Sequence, residues 1–166
     1  MQINIDTITQ ASKELIGNII RTPTIRSQHL SSKINGEVFL KLENLQYTSS
    51  FKVRGAYTSI TRLKEDQKKV GVIAMSAGNH AQAVAWWAKK ERVNATIIMP
   101  EHAPLSKVMK TKSFGADVIL KGRTLNESQT YVSELVNAKK LTLIHPYDDP
   151  NVVIGQGTLG LELIED

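Results

Sequence analysis

The chain has 166 residues, of which 41% are apolar, 22% charged and 5% aromatic, the composition of a globular domain rather than a disordered or collagenous chain. Its 21 lysines and arginines exceed its 16 acids for a net charge of +5, which favours anionic partners without naming one. The lack of cysteine removes disulfides, thiolate nucleophiles, zinc ribbons and iron–sulfur clusters, no apolar run approaches the about 18 residues of a spanning helix, and Met1 to Asp6 has neither the basic start nor the apolar block of a secretory leader. A reducing cytoplasm and no membrane contact are therefore expected.

In chain order, Asp6 is placed to cap a helix carrying Ile8, Leu15, Ile16, Ile19 and Ile20, ended by Arg21-Thr22-Pro23 because proline cannot donate a backbone hydrogen bond and restricts the residue before it. After a Ser-rich stretch and the turn signal Asn35-Gly36, Val38, Leu40 and Leu42 alternate with Phe39, Lys41 and Glu43, which predicts a strand. A repeated rhythm follows. Helical spacing of Val53, Tyr57, Ile60 and Leu63 leads to a strand over 70–75, and a helix over 80–90 with Trp86 and Trp87 leads to a strand over 95–99. A helix over 105–114 then leads to a strand over 117–120, and one over 125–139 to a strand over 141–144. Strands poor in charge alternating with helices predict βαβ units, an α/β fold with an open, mostly parallel twisted sheet and helices on both faces.

Ligands of such sheets bind beyond the carboxyl ends of the strands. Ser76-Ala77-Gly78-Asn79-His80 lies at one, between a strand and a helix, where small residues and a helix N-terminus can hold a carboxylate or phosphate on main-chain N–H groups. The same residues also read as an ordinary turn capped by Asn79 or Ser76. Lys52, in Ser49-Ser50-Phe51-Lys52-Val53-Arg54-Gly55, opens a helix, where the dipole disfavours a cation. Held against Phe51 beside an apolar pocket, its amine would be a Schiff-base nucleophile; free in water, it is a solvated lysine beside a capping serine. Gly155-Gln156-Gly157-Thr158-Leu159-Gly160 matches the dinucleotide fingerprint literally, but without a firm preceding strand the glycines read better as a close approach to another backbone before a helix from Thr158. His29, His80, His102 and His145 have no metal-ligand spacing. Asp148 and Asp149 either gather carboxylates after the last strand or make local backbone bonds. Lysine pairs at helix ends suit the helix dipole, so no nucleic-acid partner is expected.

Order and spacing together are more specific than any one motif. Phe39-Leu40-Lys41-Leu42-Glu43-Asn44-Leu45-Gln46, Ser50-Phe51-Lys52-Val53-Arg54-Gly55-Ala56 and Ser76-Ala77-Gly78-Asn79-His80-Ala81-Gln82, continued by Met99-Pro100, Ala103-Pro104, Lys107, Gly115-Ala116, Asp148-Asp149 and Gly155-Gln156-Gly157-Thr158, closely resemble the threonine dehydratases. These are fold-type II pyridoxal-phosphate-dependent ammonia-lyases, tryptophan synthase β-like in fold, a family that also holds serine dehydratase and serine racemase. The resemblance covers nearly the whole chain and implies pyridoxal 5'-phosphate as cofactor and L-threonine or L-serine as substrate, with a 2-oxo acid and ammonia as products. It implies that Lys52 joins the cofactor as a Schiff base and then acts as base at Cα, that Phe51 lies by the cofactor ring, that Asn79 bonds its phenolic oxygen, and that Ser76, Ala77, Gly78, Asn79 and His80 hold the substrate carboxylate. Ala77 stands where the racemases place a serine, so elimination is expected over racemisation.

Two residues depart from the family. Ser49 and Ala83 replace usual glycines; if the backbone at 49 needs positive φ, the serine costs about 1 kcal/mol or more. The resemblance further implies that residues 1–48 belong to a large domain, 49–147 form a small α/β domain, and 148–166 re-enter the large domain. The Gly-rich phosphate loop and the residue facing the pyridine nitrogen would lie past Asp166, so the chain is expected to be partial, to expose apolar surface, and to form a homo-oligomer or associate with a C-terminal half. A non-catalytic module of the same fold and, more remotely, an NAD-binding Rossmann protein are the alternatives.

Overall fold

A computed structural model describes residues 2–166. Helix α1 (Ile5–Leu15) is capped by Asn4, whose side chain accepts from Thr7 N–H at 2.9 Å while Thr7 Oγ1 accepts from Asn4 N–H at 3.1 Å. The reciprocal cap places the start ahead of Asp6, which lies in the first turn. The helix also ends earlier than the spacing of Ile16, Ile19 and Ile20 predicts: Gly17 turns the chain with φ +77°, and Ile19 packs on the core from the segment beyond.

Strands β1 (Thr24–Arg26) and β2 (Phe39–Lys41) pair antiparallel around α2 (Gln28–Ile34). The Ser-rich stretch is thus helix, with Ser27 as N-cap and Asn35, at φ 51°, as its left-handed end. β2 is shorter than predicted because Glu43–Leu45 coils into a 3-10 turn. Next come α3 (Lys52–Thr61), α4 (Glu65–Val70), β3 (Val72–Met75), α5 (Asn79–Lys90), β4 (Ala95–Met99), α6 (Leu105–Ser113), β5 (Asp117–Leu120), α7 (Leu125–Lys139), β6 (Thr142–Leu143) and α8 (Pro150–Glu165). Val70 closes α4, a short helix unforeseen from the sequence, and Gly71 at φ +106° resets the chain for β3.

The four-stranded sheet runs β5-β4-β3-β6 with every pair parallel. Alternate side chains divide it between two faces: Val72, Ala74, Ile97 and Met99 pack with Val84 and Trp87 of α5, whereas Ile73 and Ile98 pack with Val132 of α7. Both faces are covered, as the low-charge strands predict. No helix among the described residues is long and apolar enough to cross a membrane.

The helix expected from Thr158 starts earlier and takes in the whole glycine run. Residues 155–160 lie inside α8, whose start is Pro150 behind the Asp149 cap, not in a loop after a strand. This removes the dinucleotide fingerprint. The close-approach reading is the one met: α8 packs on α3, and a Cβ built on Gly155 would stand 2.6 Å from the Arg54 carbonyl oxygen and 2.7 Å from Gly55 Cα. On the other side, a Cβ on Gly55 would stand 2.8 Å from Val152 O. Gly155→Ala is therefore expected to lower stability by about 1–3 kcal/mol through forced separation of the helices. Gly160→Ala, in open space on the same helix, is expected to be neutral or stabilising by up to about 1 kcal/mol. Urea midpoints of the two variants check the contrast.

Candidate active site

Lys52 is the first residue of α3, and Phe51 occupies the cap position without a side-chain cap. Ser49 adopts φ +57°, the left-handed conformation for which the missing glycine matters, at a cost of about 1 kcal/mol. Ser50 Oγ accepts from Lys52 N–H at 3.3 Å. The Lys52 side chain lies over the Phe51 ring, 5.2 Å from its centroid, and Nζ donates to the Pro146 carbonyl at 2.7 Å. Partial burial pushes the amine's pKa below the ordinary lysine value.

The placement of α3 depends on Arg54, fully buried two residues on. Its Nε and Nη2 donate to the Glu43 carboxylate at 3.0 and 2.8 Å, its Nη1 and Nη2 donate to Glu162 at 2.7 and 2.9 Å, and Nη1 reaches Thr158 Oγ1 at 3.3 Å. Lys41 adds a second cation on Glu162 at 2.8 Å. Burial alone would raise the Glu162 carboxyl; Arg54 and Lys41 hold it below its usual value.

At the exit of β3, Ser76 N–H donates to Ile98 O at 3.1 Å and Ser76 Oγ accepts from Gly78 N–H at 3.1 Å. Gly78 is the N-cap of α5, so neither Ser76 nor Asn79 caps it, contrary to the plain turn reading. The first helical bond runs from Gln82 N–H to Gly78 O at 3.4 Å, so the amides of Asn79, His80 and Ala81 precede the ladder. A Cβ on Gly78 would meet nothing closer than Ser76 Oγ at 4.0 Å, so that side of the loop is open. Asn79 is exposed, Ser76, Ala77 and Gly78 are half-buried, and His80 turns inward, 3% exposed. Its Nε2–H donates to the Ile144 carbonyl at 2.9 Å, and Nδ1 has no partner among the described residues. Burial, then the charges of Lys52 and His145, lower the His80 pKa to about 4.

The two motifs converge because β6, last of the four strands, returns to lie beside β3. From β3 the chain runs outward through β4 to β5, then crosses back to β6 on β3's other side. That is a switch point in strand order, where the loops diverge and leave a crevice. Ile144 and Pro146, just past β6, receive His80 and Lys52 respectively. Asp149 is committed locally: it caps α8 by accepting from Asn151 and Val152 N–H and also accepts from Ser59 Oγ. No cluster of metal-ligating residues occurs among the described residues.

A half-buried helix-start amine, with main-chain amides free of helical bonds at the start of a helix tied to the same β6 exit, is a pairing suited to an amino acid held through both its nitrogen and its carboxylate. The sequence matches the pyridoxal-phosphate dependent enzyme family over residues 15–166. The chain belongs to that family. It is 50% identical over 99% of its length to the catabolic L-threonine dehydratase TdcB of Staphylococcus aureus strain USA300. It spans 48% of that relative, and so about half the length of the curated relatives it matches. Among solved structures, a threonine deaminase from T.th. superposes with a TM-score of 0.89 at 37% identity, covering 98% of this chain and 51% of that one. Maize serine racemase superposes with a TM-score of 0.93 at 34% identity, covering 99% and 50%.

The residues present are compatible with the aldehyde end of pyridoxal phosphate: the Lys52 amine has a carbonyl rather than an acid as its bonded partner, and the loop at Gly78 has space for a group where a Cβ would stand. Three features escaped the sequence. The Pro146 carbonyl carries no side-chain signature, the inward turn of the His80 ring is visible only in three dimensions, and Arg54 registered only as part of a motif. Its charge two residues after Lys52, in an otherwise core-facing helix, was the available signal.

Because His80 binds its proton near pH 4 in the fold and at 6.5 when unfolded, the unfolded chain carries more protons between those values. Stability is thus expected to fall by roughly 3 kcal/mol as pH drops from about 6.5 to 4. His80→Gln should remove that share of the slope, read as the difference between variant and parent urea midpoints across the range.

Proposed function

We propose that this chain carries the lysine-bearing part of an enzyme that converts L-threonine or L-serine to a 2-oxo acid and ammonia. The observation that carries the reading is the half-buried Lys52 amine on the Pro146 carbonyl at 2.7 Å, at the crevice where α5 begins. The relatives named threonine dehydratase and threonine deaminase support the substrate class.

When bound, pyridoxal phosphate supplies an aldehyde that captures amines and a ring that takes up the electron pair left at Cα. Lys52 Nζ would be the amine that holds it, and burial, by lowering the pKa, favours the neutral, nucleophilic form. Unattached, Nζ would be placed to remove the Cα proton of the substrate, and the Pro146 carbonyl would hold the resulting ammonium in the site. The amides at the start of α5, with Ser76, Ala77 and Gly78 shaping the turn, hold the substrate carboxylate, to which the helix N-terminus adds partial positive charge. Within this loop His80 contributes through its main chain, since its ring is committed to Ile144. Asn79, exposed at the start of α5, would donate to the cofactor's phenolic oxygen, and Phe51 would pack beside its ring. Loss of the Cα proton and the β-hydroxyl removes water, and hydrolysis of the remaining C–N bond releases ammonia. Ala77 offers no hydroxyl for returning a proton from the opposite face, which favours elimination over racemisation.

Residues 1–48 are read as the start of a large domain, 49–147 as a small α/β domain and 148–166 as a return to the large one. In support, β1 and β2 form a sheet separate from the other four strands, and α8 packs back on α1. Ile25, Phe39 and Leu40 expose apolar surface on that small sheet, which suits cover by a polypeptide equivalent to the rest of the relatives or by a second copy. The reducing cytoplasm is the proposed compartment, in keeping with the absence of cysteine.

Mixing the chain with pyridoxal phosphate, reducing with borohydride and mapping the labelled peptide is expected to place the label on Lys52 and to lose it in Lys52→Ala. Label scattered over exposed lysines such as Lys139 would overturn the assignment. In ammonia release from L-threonine, Lys52→Ala is expected to cost about 10³-fold or more. With L-serine as substrate, D-serine should accumulate far more slowly than ammonia in the parent, and with L-threonine the same holds for D-allothreonine, the product of inversion at Cα alone; comparable rates would contradict the role given to Ala77.

A further inference from the structure

The buried ring of His80 is not used by the mechanism above, yet it is bonded to the segment that receives Lys52. We propose that His80 is a positioning residue: by donating Nε2–H to the Ile144 carbonyl it fixes the exit of β6 so that the Pro146 carbonyl, two residues on, meets the Lys52 amine.

β6 is the shortest strand of the sheet, Thr142–Leu143, and lies at its edge, paired only with β3. Past it, Ile144 N–H still bonds Ile73 O at 2.9 Å, but Pro146 has no N–H to continue a ladder. The segment is held instead by side chains. His145 Nδ1 accepts from Asp148 N–H at 2.8 Å, which closes the turn on itself. The His80 ring is the tie from this segment to α5, and it is 3% exposed, where competing water is scarce. The tie needs the tautomer that carries its proton on Nε2. Nδ1, without a partner among the described residues, then stays unprotonated, consistent with the depressed pKa. The charged and titratable groups that act on the ring are Lys52 from α3, His145 from the β6 exit and Asp149 from the start of α8. Asp149 is already engaged by Ser59 and the first amides of α8, so it does not compete for the ring's proton.

Side-chain length separates this role from mere filling of space. Glutamine can place an amide N–H where Nε2 stands, whereas asparagine reaches only as far as Nδ1. The amine of Lys52 is read by competitive acylation with acetic anhydride across pH, scored by peptide mass spectrometry against exposed Lys139, with thermal melts as the control for folding. His80→Asn is expected to raise the midpoint of Lys52 acylation by roughly half a pH unit, about threefold in the neutral fraction at fixed pH, as the released amine becomes more solvated. His80→Gln should restore the parent midpoint. An unmoved midpoint in His80→Asn, or an equal move in both variants, would overturn the proposal. Should His80→Asn fail to fold, Pro146→Gly decides: it keeps the carbonyl but frees the backbone, and is expected to raise the midpoint likewise, while an unchanged midpoint overturns the proposal. The catalytic purpose of this positioning rests on the function proposed above, but acylation needs no cofactor. A parent that fails to take label from pyridoxal phosphate while the Asn and Gln variants still differ would refute the function and leave the positioning intact.

Discussion

The buried guanidinium of Arg54 is the constraint around which the chain is arranged. Removing a guanidinium from water costs several kcal/mol, and the fold supports it only because two carboxylates from distant segments, Glu43 in the 3-10 turn and Glu162 near the end of α8, arrive with paired geometry. Taking away either acid would break two of the four bonds between the guanidinium and its carboxylates, at a cost of about 1–3 kcal/mol for each buried donor left unpaired. Such a cluster stabilises little compared with a well-packed apolar substitute, but it admits few alternative registers. Gly55, next in sequence, supplies the second half of the same constraint. With no Cβ it lets α8 approach until Gly155 faces the Arg54 carbonyl. Charge pairing at 54 sets how far α8 can slide, and the missing Cβ at 55 sets how close it comes.

Lys52 inherits its aim from that junction. It lies on the same helix, within one turn of Arg54, so any slip of α3 on α8 would carry the amine away from Pro146. The other half of the site is set by topology. Parallel strands β3 and β6 end side by side, and the reversal of strand order between them opens the crevice into which both the start of α5 and the residues after β6 project. A helix junction on one side and a strand-order reversal on the other thus fix two motifs that stand 24 or more residues apart in the chain.

What the sequence made legible follows from these physics. Ala95–Met99, Asp117–Leu120 and Leu125–Lys139 fell where expected because their patterns are long or uninterrupted and their limits coincide with turns. The short elements β1, α2 and α4 did not declare themselves, since a few residues give no period, and their ends depend on left-handed positions at Asn35 and Gly71. The glycine run matches a fingerprint literally because a small-residue pattern serves equally a phosphate loop and a tight helix crossing; the close-approach reading holds because its partner is Gly55. At the site, the motif residues were visible as a set, but their relations were not. That His80 faces inward while Asn79 faces out is a matter of one position on a helix, and the partner of Lys52 is a main-chain oxygen that any residue with the same backbone would present.

That partner is a carbonyl rather than an acid, and the difference bears on what the lysine can do. No carboxylate among the described residues lies within ion-pair distance of Lys52, although every other buried cation discussed here, Arg54 and Lys41, has one. A carboxylate would favour the ammonium and raise the pKa of the amine. A carbonyl accepts a hydrogen bond from the neutral amine as well as from the ammonium, so it orients the nitrogen while leaving burial to set the protonation. His80 fits the same logic. Its depressed pKa keeps the ring neutral over the range in which Lys52 would work, so the crevice gains a donor without gaining a second fixed charge of the lysine's own sign.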